Sequence, residues 1–257
     1  MTIAPERRPS SRPALLQAAL NGSRRLEEHP AVPLTSHDLA SAAAEAVAAG
    51  AGTVHVHVRD PSGAESVAAA DVARALAAMR TVIPGVPIGV STSARIAPDP
   101  DRRQRMVAGW TDRPDYASVN FHEPGAEPLA ELLLSQGVGI EAGVATVGAT
   151  ERLAMSGLAP RCVRVLLEPQ AQELAAALGA VAEIESVLGR AGIGLPILLH
   201  GVDRTAWPLI AEAVARAYDT RIGFEDTLTL PDGSMAASNT VLVTEARRMI
   251  AASGLGA

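Results

Sequence analysis

Short apolar runs alternate with longer stretches of helical period along almost the whole chain. The short runs predict strands at Leu15–Leu20, Thr53–Val58, Val86–Ser91, Tyr116–Asn120, Val138–Ala142, Cys162–Leu167, Leu195–His200 and Thr220–Phe224. The stretches between them, rich in Ala, Leu, Glu and Arg, predict helices. The first has the clearest boundaries. Thr35-Ser36-His37-Asp38 offers a capping residue with an acid three positions on, and Gly50 closes the run. Further helices are expected over 68–80, 100–109, 127–136, 148–158, 171–190, 205–217 and 235–252. Strand–helix alternation implies parallel strands joined by crossover helices. Eight such units without a linker predict one α/β domain, a single (β/α)8 TIM barrel, over 14–257. An open doubly wound sheet is the alternative, but no Gly-x-Gly-x-x-Gly follows the first strand. Residues 1–13, polar and rich in Pro, Ser and Arg, read as a flexible tail rather than a signal peptide.

Composition narrows the chemistry. With 257 residues, 48% hydrophobic and a net charge of −6, the chain has the size of one barrel and no basic footprint for nucleic acid or an anionic membrane. No apolar run reaches membrane-spanning length, and a cytoplasmic location is expected. A single cysteine, Cys162, excludes an intrachain disulfide and a multi-cysteine zinc site, and it reads as a core residue. All 22 basic residues are arginine. Without lysine, a Schiff-base mechanism is excluded, so any carbonyl chemistry needs another electrophile.

In a barrel the active site forms at the C-terminal strand ends. Those ends read Asn21-Gly22, His57-Val58-Arg59-Asp60, Ser91-Thr92-Ser93, Asn120, Glu141, Glu168, His200 and Glu225-Asp226. Val54-His55-Val56-His57-Val58 is the strongest local signal. Side chains alternate faces along a strand, so both imidazoles point inward and the valines pack under the helices. Two imidazoles at i and i+2 can converge on one metal, whereas a lone histidine reads better as a core residue. Barrel closure brings the last strand beside the first, so Glu225 can supply a third ligand and leave a position open for substrate. Asp226 is then free for proton transfer. Ser91, Thr92, Ser118 and Asn120 offer hydrogen bonds to a carboxylate, with Glu141 and Glu168 as further acids; His200 ranks below the paired histidines. Asp60 reads as a loop-orienting residue, and Trp207 as packing.

Several segments then resemble the β-keto acid cleavage enzyme family. They are Ala18-Ala19-Leu20-Asn21-Gly22, Pro33-Leu34-Thr35, Ala49-Gly50-Ala51, His55 through Asp60, Ser91-Thr92, Ala117 through Asn120, Arg221 through Asp226, and the stretch from Gly233 through Ser238-Asn239 to Leu242-Val243. The resemblance implies a zinc-dependent barrel, one Zn2+ per chain, assembled as a homo-oligomer (tetramer or dimer). It implies condensation of a small β-keto acid with acetyl-CoA, giving acetoacetate and a new CoA thioester. By matching position, His55, His57 and Glu225 are the implied metal ligands. Asp226 is the implied acid/base, Arg221 its electrostatic partner, and Ser91 and Ser118 substrate-site hydroxyls. The family's double glycine after Ser-Thr is Ser93-Ala94 here, and its glycine-rich loop after the sixth strand is Glu168-Pro169-Gln170. The first-strand loop carries Arg24-Arg25 where a member of the family has a glutamate, so Arg24 is expected to receive a second anionic group of the substrate. The alternatives are a metal-dependent hydrolase of amidohydrolase type, which uses His-x-His on a first strand with further histidines, and a non-catalytic small-molecule-binding barrel.

Overall fold

A computed structural model describes residues 14–252. The expectation for the 1–13 tail lies outside the described residues. Eight parallel strands close into a barrel in sequence order: β1 (Leu16–Ala19), β2 (Thr53–Val56), β3 (Ile88–Ser91), β4 (Tyr116–Asn120), β5 (Gly139–Val144), β6 (Arg164–Leu167), β7 (Ile197–Leu199) and β8 (Asp219–Ile222). Closure is parallel pairing of β8 on β1, with Gln17 opposite Arg221. Eight helices cover the outside: α1 (Ser36–Ala48), α2 (Ala69–Val82), α3 (Pro100–Ala108), α4 (Ala126–Ser135), α5 (Val147–Met155), α6 (Leu174–Arg190), α7 (Ala206–Ala215) and α8 (Asn239–Ala252). This is the expected (β/α)8 fold.

The core lies between strands and helices, as the alternation requires. Val54, Val56 and Val58 are buried beneath the helices, each worth roughly 1.5–3 kcal/mol of transfer free energy. Thr35 caps α1 reciprocally with Asp38, as its sequence spacing predicts.

The differences lie at element ends. Strand β5 runs to Val144, two residues beyond the expected end, because Phe121 and Glu168 continue its pairing outward. Helix α8 starts at Asn239 rather than 235, since 229–236 folds into a hairpin turn bridged between Thr229 and Met235. A matching turn follows β2, bridged between Arg59 and Glu65. Cys162 sits just before β6 rather than within it. It is buried, and burial pushes its thiol up to about 11, as suits an inert core residue. Trp207 packs at the start of α7 and donates its indole N–H to the Thr229 carbonyl.

Candidate active site

The strand ends open into a cavity of about 660 Å³, within the range of small-molecule sites. His55, His57, Glu225, Asp226, Arg221, Ser91, Ser118, Asn120 and Arg24 all line it. The sequence-derived candidates thus converge, with Thr92 and Glu141 set apart.

The three expected ligands form one cluster. A nitrogen from His55, one from His57 and a carboxylate oxygen of Glu225 all lie within 4.8 Å of one another. His55 Nε2 stands 3.7 Å from one Glu225 oxygen, and His57 Nε2 stands 3.4 Å from the other. Ligands about 2.0–2.2 Å from a tetrahedral ion sit roughly 3.3–3.6 Å apart, so the spacing suits one divalent cation. His55 Nδ1 and Glu225 Oε2 are buried without a hydrogen-bond partner. Such groups are costly unless something satisfies them, and a cation beside Oε2 would do so for the carboxylate. The residues present therefore fit a metal.

Backbone devices hold the cluster. Asn21 donates to the His57 and Pro33 carbonyls and accepts the His57 N–H at 2.9 Å, locking the β1 end to the first turn after β2. Asn239, from the start of α8, donates to Leu20 O and accepts from Phe224 N, fixing the loop that carries Glu225. Gly22 has a φ of +54°, and a Cβ there would come within 2.6 Å of Glu225 Cγ. The position needs glycine both for the left-handed turn and for room beneath the carboxylate.

Electrostatics set the ring states. Burial lowers His55 to about 4, with Arg221 and His57 adding to the effect and Glu225 opposing it. Burial also opposes a charge on His57, but Glu225 and Glu65 outweigh it and raise that ring to about 8. Glu225 is held well below the usual carboxylate range: burial favours its neutral form, and Arg221 with the two histidines overrides it. Glu65 meets His57 Nδ1 directly. It turns Nε2 toward Glu225, as the outer partner of a metal-bound imidazole does.

Asp226 is fully buried behind this cluster. Its Oδ1 accepts from Arg221 at 2.7 Å and faces His200 Nδ1 at 3.3 Å, while Oδ2 has no partner. Arg221 also reaches Glu225 at 3.0 Å, so one guanidinium bridges both acids. His200 is raised to about 9 because Asp226 and Glu168 outweigh burial and Arg221.

Four expectations change. Glu141 does not reach the cavity. It is fully buried in a lower layer, with Gln17 at 3.0 Å and Arg164 at 2.8 Å, because β5 extends past it and leaves it mid-strand. Thr92 turns its hydroxyl to the Ser118 carbonyl at 2.6 Å, which makes it a loop tie. Asn120 lines the cavity but commits one amide N–H to Glu123, so it is part of the loop's own bonding as well as of the lining. Arg24 donates to Glu28, Asp203 and the Phe224 carbonyl, so its charge is matched before any substrate arrives. Sequence reading missed Glu65, whose role depends on the hairpin turn, and ranked His200 low, although it packs on Asp226.

A family model described as beta-keto acid cleavage enzyme matches residues 13–256. The chain is similar to a 3-keto-5-aminohexanoate cleavage enzyme of Fusobacterium nucleatum subsp. nucleatum, 27% identical over 249 residues, covering 91% of this chain and 90% of that relative. It is also similar to a 3-oxoadipate:acetyl-CoA acetyltransferase of Cupriavidus necator, 33% identical over 110 residues, or 42% of this chain and 37% of the relative. Among solved structures, ObcA matches in its apo form (TM-score 0.67) and in a ternary complex with a C4-CoA adduct and oxalate (TM-score 0.69). Both are 17% identical and cover 88% of this chain, which spans 63% and 65% of those longer chains. At that identity they speak for the fold alone. No helix among the described residues is long and apolar enough to cross a membrane.

Proposed function

Because the chain belongs to the beta-keto acid cleavage enzyme family across residues 13–256, we propose that it condenses a small β-keto acid with acetyl-CoA, giving acetoacetate and the CoA thioester of the remaining acyl group. The observation that carries the reading is the His55, His57 and Glu225 cluster, set beside the unpartnered Asp226 oxygen in one cavity. The relatives' names fit it: one acts on 3-keto-5-aminohexanoate, the other on 3-oxoadipate with acetyl-CoA.

His55, His57 and Glu225 would hold one Zn2+, the ion suited to imidazole and carboxylate with an open position. When bound, the ion supplies the Lewis acidity toward the β-keto oxygen that no lysine can supply here. Asp226 Oδ2 moves the proton that generates the acetyl-CoA carbon nucleophile. Arg221 holds the other Asp226 oxygen at 2.7 Å, which fixes the carboxylate in orientation. His200 supports Asp226 from β7 and links it to Glu168, 3.7 Å from His200 Nε2. Ser91 and Ser118 receive the substrate carboxylate. A metal-loaded sample incubated with a panel of β-keto acids, with and without acetyl-CoA, tests this by mass spectrometry. Acetoacetate and a new CoA thioester are expected only when both substrates are present. Cleavage that proceeds equally without acetyl-CoA would overturn acyl transfer and favour attack by water.

A further inference from the structure

The cations around the cavity divide into matched and unmatched. Arg24 is held by Glu28 and Asp203, at 2.9 and 2.6 Å. Arg221 is held by Glu225 and Asp226, at 3.0 and 2.7 Å. Arg103, behind the β3 and β4 loops, is held by Glu123 at 2.9 Å. Arg95 lines the same cavity, is exposed, and has no acid within 4.0 Å among the described residues. Glu65 feels its charge at longer range but is committed to His57.

The base of Arg95 is nevertheless fixed. Its backbone N–H donates to Ser93 Oγ at 3.3 Å, and that hydroxyl donates to Glu123 at 3.1 Å. Glu123 also accepts the Ala94 N–H at 2.8 Å and the Asn120 amide at 3.0 Å. Glu123 is therefore spent on pinning the loop and leaves the guanidinium uncompensated. In the closed order β3 and β7 lie across the barrel from each other. Arg95 follows β3, whereas Asp203 follows β7, Glu168 follows β6 and Glu28 follows β1. Of the four arginines named, Arg95 alone offers an entering anionic tail a guanidinium without an acid partner among the described residues.

We propose that Arg95 is the contact for an anionic group of the substrate pair, either a second carboxylate on the β-keto acid or a phosphate of the CoA. Arginine suits both, since its planar fork pairs bidentately with carboxylate or phosphate. The proposal rests on the reading of the site as a β-keto acid cleavage centre. It replaces Arg24, whose own acids already neutralise it, as the source of anion selectivity.

The test compares wild type, Arg95→Gln and Arg95→Lys, all metal-loaded. The acids are 3-oxohexanedioate and 3-oxohexanoate, which differ only in the distal carboxylate. The thioesters are acetyl-CoA and the acetyl thioester of N-acetylcysteamine, which has no phosphate. Calorimetric binding of adipate, hexanoate and free CoA adds a readout that needs no turnover. If the distal carboxylate is the ligand, Arg95→Gln shifts the KM ratio of dianion to monoanion by about tenfold or more and weakens adipate binding in proportion. Arg95→Lys restores part of it. If a CoA phosphate is the ligand, the shift falls between the two thioesters and on free CoA. A change under twofold in every arm overturns the proposal. Weaker adipate or CoA binding in Arg95→Gln, with no cleavage by wild type, would remove the proposed reaction and leave Arg95 as an anion contact.

Discussion

The Nδ1 atom of His57 meets the carboxylate of Glu65, and the same ring presents Nε2 to Glu225. Glu65 arrives by a turn in which Asp60 accepts from Ser62 and Ala64 and Gly63 takes a φ of +88°. Its contact orients the ring and would make it a stronger ligand toward a metal. Loss of such an outer partner costs about 10–100-fold in metal affinity. Glu65→Gln should therefore bind zinc about 10–100-fold more weakly, with an unchanged circular dichroism spectrum, in competition against a chromophoric chelator. Affinity equal to wild type would leave Glu65 with no part in the site.

Metal affinity should also carry the signature of His57. Its raised value of about 8 means that the metal-free protein holds a proton there at neutral pH, and the metal must displace it. The sign follows directly: affinity falls as pH drops below about 8, roughly tenfold per unit while one proton is released. Burial holds His55 near 4, so that ring adds a second proton only at the acid end. In Glu65→Gln the onset should move to lower pH, because a partner that favours the charged ring is gone. Titrations across pH 6 to 8 that show constant affinity would contradict this assignment.

The sequence makes some of this site legible and hides the rest for physical reasons. His55 and His57 are readable because a period of two forces them onto one face, and Glu225 because barrel closure puts β8 against β1. Glu65 is not readable, since its position depends on how a turn folds back from the β2 end. His200 is isolated in sequence yet stands 3.3 Å from Asp226, because β7 pairs with β8. Arg24 looks like a free cation in the chain, but Glu28 pairs with it from the same loop and the β7 loop delivers Asp203 as a second acid. Periodicity places Glu141 inward but says nothing of depth, and a strand end misplaced by two residues moves it from the mouth to the interior.

Asp226 and Glu225 should separate on substitution. Asp226 lies behind the cluster with one oxygen on Arg221 and the other unpartnered. Asp226→Asn keeps the side-chain shape and removes the base, so turnover should fall about 10²–10⁴-fold while the metal content stays near one per chain. Glu225→Gln should lose metal as well as turnover. Metal analysis beside steady-state kinetics checks both; equal metal loss in the two variants would show the roles of the acids reversed.

Glu141 belongs to the architecture of the barrel rather than to its chemistry, and that distinction can be measured. It is fully buried, accepts from Gln17 at 3.0 Å and pairs with Arg164 at 2.8 Å. The Arg164 guanidinium lies 5.0 Å from the centre of the Tyr116 ring. The Tyr116 hydroxyl donates to the Val54 carbonyl and accepts from Gln17. These groups fill the lower barrel as one polar layer, in which Gln17 Oε1 and Glu141 Oε2 have no hydrogen-bond partner, and Gly89 has no side chain because a Cβ there would strike the Tyr116 ring. Glu141→Ala leaves the Arg164 charge buried without its partner, at a cost of about 3–5 kcal/mol. Urea denaturation should show that loss. Glu141→Gln, which keeps volume and one acceptor, should lose less. Replacing both Glu141 and Arg164 with leucine should recover much of the stability, since an apolar pair leaves no orphaned charge. In Glu141→Gln the KM for the β-keto acid should stay within about twofold of wild type, an energy difference under 0.5 kcal/mol. A tenfold rise in KM without loss of stability would return Glu141 to the substrate site.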